Sequence, residues 1–154
     1  MFLWLQILFM LFFPANELDI EKQYMLDKVN ELRSAGCYCG RKYMEPVSEL
    51  DWSNSLRESA FRHAKDMQIR RYFSHYSKEG KDVGNRLDEV GYSWEIAGEN
   101  LGEGQRSFDE VFIDWIKSPE HCRMMMEPRV EEMGIARYGK YWVQHFGKQI
   151  RRRY

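Results

Sequence analysis

Helical periodicity dominates most of this chain, and the clearest pair of strands comes only near its end, at residues 132–146. That order restricts the fold to helices laid against a late antiparallel sheet, an α+β arrangement. Leu18, Met25, Val29 and Leu32 recur at helical spacing with charges between them, which predicts an amphipathic helix over 18–34. Gly36 and the Cys37–Gly40 segment end it, and a loop containing Pro46 follows. Leu56, Ala60, His63, Ala64 and Met67 mark a second helix, opened by Ser53 or Ser55 and running to about Arg71. Residues 82–91 form a short helix closed by Gly91. The stretch from Ser93 to Leu101 starts extended and is expected to break at Gly98 and Gly102. Ser107 and Glu110 form a capping box ahead of Phe108, Val111, Phe112 and Trp115. Pro119 stops that helix and takes the first position of the next one, with Ser118 as its N-cap. Glu132–Tyr138 and Tyr141–Phe146 flank Gly139-Lys140 and read as a hairpin.

At 154 residues the chain is expected to hold one domain, large enough to bury a core of its own. The sequence divides into an apolar segment at 1–15, a body at 16–147 and a basic tail at 148–154. The first thirteen residues are apolar except for Gln6, too short a run for a bilayer of about 20 apolar residues but the length of a signal-peptide core. No Lys or Arg precedes this run, so an uncleaved anchor or a misplaced start stays open beside an export signal. A net charge of −1 excludes a global preference for nucleic acid. The one dense basic run, Arg151–Arg153, reads as a solvated tail or as loose contact with an anionic membrane or cell-wall surface.

The cysteines are Cys37, Cys39 and Cys122. The first two are too close for a comfortable mutual bridge and lack the second pair of a zinc knuckle. In an exported chain one long bridge to Cys122 would leave one free thiol. Such a bridge stabilises by about 4 kcal/mol in the chain-entropy model. In a cytosolic chain all three would be buried thiols.

Three polar residues stand in separate, locally punctuated segments: His75 in Phe73–His75, Glu99 in Gly98–Leu101 and His121 in Trp115–Cys122. His121 falls near the third position of a helix, where the positive end of the dipole favours a neutral imidazole able to bind a metal or accept a proton. Glu99 lies between Gly98 and Asn100, where backbone can approach a ligand closely. Two histidines and a carboxylate suit a zinc site with one open position. They also suit a general acid/base pair with an electrostatic partner. The bland alternative is a buried hydrogen-bonded network that ties loops together. His63, on the apolar face of its helix, reads as a satisfied core residue. Trp94, Trp115, Tyr141, Trp142 and Phe146 read as core, as do at least two of Met124, Met125 and Met126.

Phe73-Ser74-His75, Gly98-Glu99-Asn100-Leu101, Trp115-x-x-Ser118-Pro119-x-His121, Glu132-Met133-Gly134 and Tyr141–Gly147, in this order, resemble the CAP superfamily. That superfamily comprises the cysteine-rich secretory, antigen-five and pathogenesis-related-one proteins that share the SCP domain. The match covers about residues 20–147 and is closest to short prokaryote-type members. The resemblance implies a three-layer α-β-α sandwich around a small antiparallel sheet, with a large cleft and a secreted or extracytoplasmic location. It implies cleft positions for His75, Glu99 and His121, and a disulfide between Cys39 and Cys122. Ser118 occupies the place of the family's second glutamate, with Glu120 nearby, and Met124 stands where relatives carry Asn. Zinc or another divalent metal on His75 and His121, or a small-molecule, lipid or cell-wall ligand, is the expected guest, with no nucleic acid and at most peripheral membrane contact. Three readings remain: a cleft that binds, with Asn100, Ser118 and Glu120 beside the three polar residues; a zinc-assisted hydrolase acting on peptide or cell wall, with Glu99 as base or third ligand; and a purely structural network.

Overall fold

The structure, a computed structural model, describes residues 15–150. The first fourteen residues of the expected export segment and the Arg151–Arg153 run lie outside the described residues.

Helix α1 (Ala15–Ala35) ends at Gly36, whose φ of 72° lets its N–H reach back to the Leu32 carbonyl. The expected loop beyond it contains three short strands: β1 (Cys37–Cys39), β2 (Lys42–Met44) and β3 (Asp51–Trp52). Their brevity, two or three residues each, is why no periodicity betrays them. Helix α2 (Asn54–Arg70) is capped by Ser53, whose Oγ accepts from the Leu56 N–H. Helix α3 (Val83–Glu89) carries a reciprocal cap between Asp82 and Asn85.

Strand β4 (Trp94–Glu103) runs straight through Gly98 and Gly102 and pairs along its length with β6 (Tyr141–Gln149). The expected breaks do not occur. The glycines are there for clearance: a Cβ on Gly98 would lie 2.5 Å from Met124 Sδ, and one on Gly102 would lie 2.5 Å from Val111 Cγ2. Helix α4 (Phe108–Lys117) has Ser107 as its cap, but Glu110 turns its carboxylate to the Arg106 N–H instead of closing the box on Ser107. Helix α5 (Pro119–Met125) begins after Ser118, which holds the N-cap position without a side-chain cap bond. Strand β5 (Glu132–Tyr138) pairs antiparallel with β6, and the order across the sheet is β3-β5-β6-β4. The sheet is therefore antiparallel except for β3, which lies parallel to β5.

Alternation along the strands sorts two cores onto the two faces. Met133, Ile135, Trp142 and Phe146 face α1, α4 and α5, packing with Met25, Val29, Val111, Phe112, Trp115 and Met125. Leu101, Ala136, Tyr141 and Val143 face α2, packing with Ala60, Ala64 and Met67. A Cβ on Gly134 would lie 2.2 Å from the Arg57 backbone nitrogen, so a bare residue there lets α2 sit on the sheet. The result is three layers, α-β-α, with β4 as an edge strand exposed between them. Met125 and Met126 are fully buried and Met124 is half-buried, as a core filler would be.

Candidate functional site

The edge of β4 carries a cleft of about 420 Å³, walled by Phe73, His75, Leu101, Trp115, Ser118 and His121 among others. Each wall comes from a different segment of the chain, and all three layers contribute. His75 belongs to the loop after α2, Leu101 to β4, Trp115 to α4 and His121 to the third position of α5. Trp115 is 1 % exposed, and its indole N–H is held by the Leu101 carbonyl at 2.8 Å, which locks that wall to the strand.

Glu99 does not line this cleft. Strand alternation turns its side chain towards α2 and α3, where it is 3 % exposed. Its Oε1 accepts from His75 Nδ1 at 2.7 Å. Its Oε2 accepts from Arg86 Nη2 at 2.6 Å and from His145 Nε2 at 2.8 Å. The His63 ring lies 3.9 Å from the same oxygen and donates its Nε2–H to the Ser74 carbonyl at 3.0 Å. His145 faces Glu99 directly across the β4–β6 ladder, so backbone register alone brings the two together. Arg86 also donates to the His75 carbonyl at 3.1 Å and to the Lys81 carbonyl at 2.8 Å, binding the loop to α3.

The electrostatics follow from this packing. Burial by itself would raise the Glu99 carboxyl, but the hydrogen bonds from His145 and His75 and the charge of Arg86 override it and hold the carboxyl well below the usual carboxylate range. Burial pushes the His145 imidazole down, and lowers that of His63 to about 4, so both rings are neutral near pH 7. The bond to Glu99 raises His75. His121 is lowered first by burial and then by the charge of His75. The expected neutrality of His121 therefore has burial as its main cause, with no need of the helix dipole.

His63 adds a stability test. Its folded pKa of about 4 lies below that of an unfolded histidine, so between those values the unfolded chain holds a proton the folded chain does not. Its contribution is complete above pH 6.5 and falls away as the pH drops through 4, a loss of about 3 kcal/mol. Urea midpoints at pH 7, 5 and 4 should fall steeply for the wild type and less steeply for His63→Leu. Equal slopes for the two would contradict this account.

The remaining expected site residues separate. Ser118 lines the cleft beside His121. Asn100 is 1 % exposed and faces the opposite side of β4 from Glu99, donating to the His121 carbonyl and to Gln144 Oε1 at 3.1 Å each, so it supports α5 and offers nothing to the cleft. Glu120 is exposed and outside the cleft wall. Sequence reasoning missed His145 and Arg86. His145 lay in view within Tyr141–Gly147, but only the ladder register pairs it with Glu99. Nothing local marks Arg86 in its short helix. The cleft's own carboxylates are engaged, Glu103 by Lys140 and Asp114 by Gln105.

As a metal site the cleft offers two imidazoles. The Glu99 bond fixes the His75 tautomer and leaves Nε2 as its second nitrogen, the pattern in which a carboxylate orients a metal-binding histidine. Among the described residues, no third His, Asp or Glu atom joins both histidines within 4.8 Å of one another. Cys39 and Cys122 are joined in a disulfide and Cys37 is a free thiol.

Comparison with known proteins gives one family match, the cysteine-rich secretory protein family, over residues 26–146. An uncharacterized membrane protein of Bacillus subtilis, YlbC, is 29 % identical over 103 residues, 67 % of this chain, and the chain spans 30 % of that relative's length. Among solved structures, an extracellular protein of Bacillus anthracis containing an SCP domain has a TM-score of 0.74 at 24 % identity, covering 85 % of this chain and 41 % of that one. An outer surface protein of Borrelia burgdorferi has a TM-score of 0.72 at 19 % identity, covering 89 % of this chain and 97 % of that one.

Proposed function

This chain belongs to the cysteine-rich secretory protein (CAP) family, and from that premise we propose that it is an extracytoplasmic binding module whose β4-edge cleft holds a small guest between His75 and His121. The observation that carries this reading is the division of labour around Glu99. The carboxylate is spent beneath the cleft on holding His75, while both imidazoles, an apolar wall of Phe73, Leu101 and Trp115, and the Ser118 hydroxyl are left to the guest. The extracellular and outer-surface descriptions of the structural neighbours support the compartment, as does the apolar N-terminal segment.

A divalent cation such as zinc fits as one such guest, held by His75 and His121 with solvent in its other positions. Bound there it would supply a Lewis-acid centre to a polar ligand. The hydrolytic alternative is less well supported. Catalytic zinc takes three protein ligands as a rule, and the cleft offers two. Glu99 is committed to three donors, and the second carboxylate of the family pattern is Ser118, so no free base stands beside the histidines.

The test is calorimetric titration of the oxidised protein with zinc, for wild type and His121→Ala. Binding at one equivalent, weakened at least tenfold in the variant, is the result expected for a metal guest. If zinc does not bind, lipid and sterol screening against the same pair of proteins follows. Absence of any ligand, with His75→Ala and His121→Ala altering nothing but stability, would end the binding reading.

A further inference from the structure

The β1–β2 hairpin carries a second constellation of ligand atoms, away from the cleft. β1 packs on α5 and places three sulfurs together: Cys39 and Cys122 form the disulfide, and Cys37 Sγ lies 3.7 Å from Cys122 Sγ and 3.9 Å from Cys39 Sγ. Cys39 and Cys122 are fully enclosed among Met126, Leu32, Met44 and Val47, while Cys37 is half-buried. Among the described residues, this is the group of three or more His, Cys, Asp or Glu ligand atoms that lie within 4.8 Å of one another.

The position of the third sulfur separates two uses. Thiol–disulfide exchange requires an attacking sulfur in line with the bond it breaks. Cys37 Sγ is nearly equidistant from both disulfide sulfurs, so it lies abreast of the bond and beyond neither end. A metal site asks for a triangle instead. Two zinc–sulfur bonds of about 2.3 Å at a tetrahedral angle set their sulfurs about 3.8 Å apart. The separations of Cys37 from its two neighbours match that spacing.

We propose that Cys37, Cys39 and Cys122 form a redox-gated site for a soft divalent cation such as Zn²⁺: closed by the Cys39–Cys122 disulfide when oxidised, and opened to three thiolates when that bond is reduced. The opening step takes two electrons. A dithiol gives two electrons and two protons to the Cys39–Cys122 bond, becomes a disulfide itself, and leaves two thiols. Each cysteine then loses its proton to solvent as its sulfur binds the cation. The half-buried side of Cys37 leaves the fourth coordination position to solvent. Soft thiolates favour Zn²⁺ over Mg²⁺ or Ca²⁺.

The test is anaerobic titration of phosphine-reduced protein with Co²⁺, whose thiolate charge-transfer bands report sulfur ligation directly. One equivalent should produce those bands in reduced wild type. Oxidised wild type should show none, and reduced Cys37→Ala should bind at least tenfold more weakly. Missing bands in reduced wild type would overturn the proposal, as would a Cys37→Ala variant that titrates like wild type. Reduction also removes a cross-link, so the thermal transition of the reduced protein is followed with and without one equivalent of Zn²⁺. A Tm raised by zinc, and not raised in Cys37→Ala, supports the site. A reduced chain whose transition zinc leaves unchanged, or that stays unfolded with zinc present, overturns it.

Discussion

Glu99→Gln is expected to cost about 4 kcal/mol of stability, because it removes the negative charge paired with a buried guanidinium. Arg86 is 6 % exposed, and Nη2 gives one of its bonds to Glu99 Oε2. A glutamine amide whose oxygen still accepts from Arg86 and His145 brings no charge, and its NH₂ would then point at the N–H of His75. His75 would have to change tautomer or lose its partner. The opposite flip would turn the NH₂ on both Arg86 and His145, and because His145 Nδ1 has no partner, switching that ring's tautomer would bury an unpaired donor. The measurement is the urea midpoint at constant m-value. Arg86→Met should be similarly costly alone, and Glu99→Gln combined with Arg86→Met should recover part of the loss, since the pair then vanishes together. A Glu99→Gln variant within 1 kcal/mol of wild type would mean that the carboxylate is not the buried hub described here. The same variant should also loosen His75, so weaker guest binding with His121 untouched would trace the orientation of the cleft to this carboxylate.

The disulfide predicts an asymmetry between its two ends. Cys122→Ala should lose the whole cross-link, about 4 kcal/mol for a bridge closing a separation of 83 residues. Cys39→Ala should lose less under oxidising conditions. Cys37 Sγ lies 3.7 Å from Cys122 Sγ, and an oxidant such as glutathione disulfide can take the two electrons that join them. The replacement bridge closes a loop of almost the same length, so the entropic part of the stabilisation returns. Melting temperatures of the two oxidised variants, with and without added phosphine, give the answer. Equal losses for both would show that Cys37 cannot turn to Cys122, and would weaken the case that the three sulfurs converge on one centre.

The positions of the helices were legible because caps and stops act locally. Ser53, Ser107, Gly36 and Pro119 each mark a helix end within a few residues of it. Both strands of the late hairpin were legible for the same reason, through Gly139 with its φ of 58°. Gly98 and Gly102 misled, because glycine in a strand carries two opposite meanings. It breaks a strand that has nothing to gain from continuing, and it persists where a neighbour needs the space. Met124 and Val111 supply that neighbour, and both arrive from later in the chain.

The candidate site divides along the same line. The sequence alone placed His75, Glu99 and His121 in three rigid, polar-tipped segments and identified the family they belong to. It also marked a cysteine set with one member to spare. It could not say that Glu99 is buried beneath the cleft behind His75, since the neighbours of a strand residue depend on register, and register is a property of two strands. Tertiary structure decided that Glu99 pairs across the ladder with His145, that α3 delivers Arg86 to the same carboxylate, and that Asn100, one residue on, serves the other side of the sheet. Local signals report what a residue can do, while burial and partners decide what it does. A carboxylate surrounded by three donors becomes a support, while the two imidazoles stand at the cleft wall.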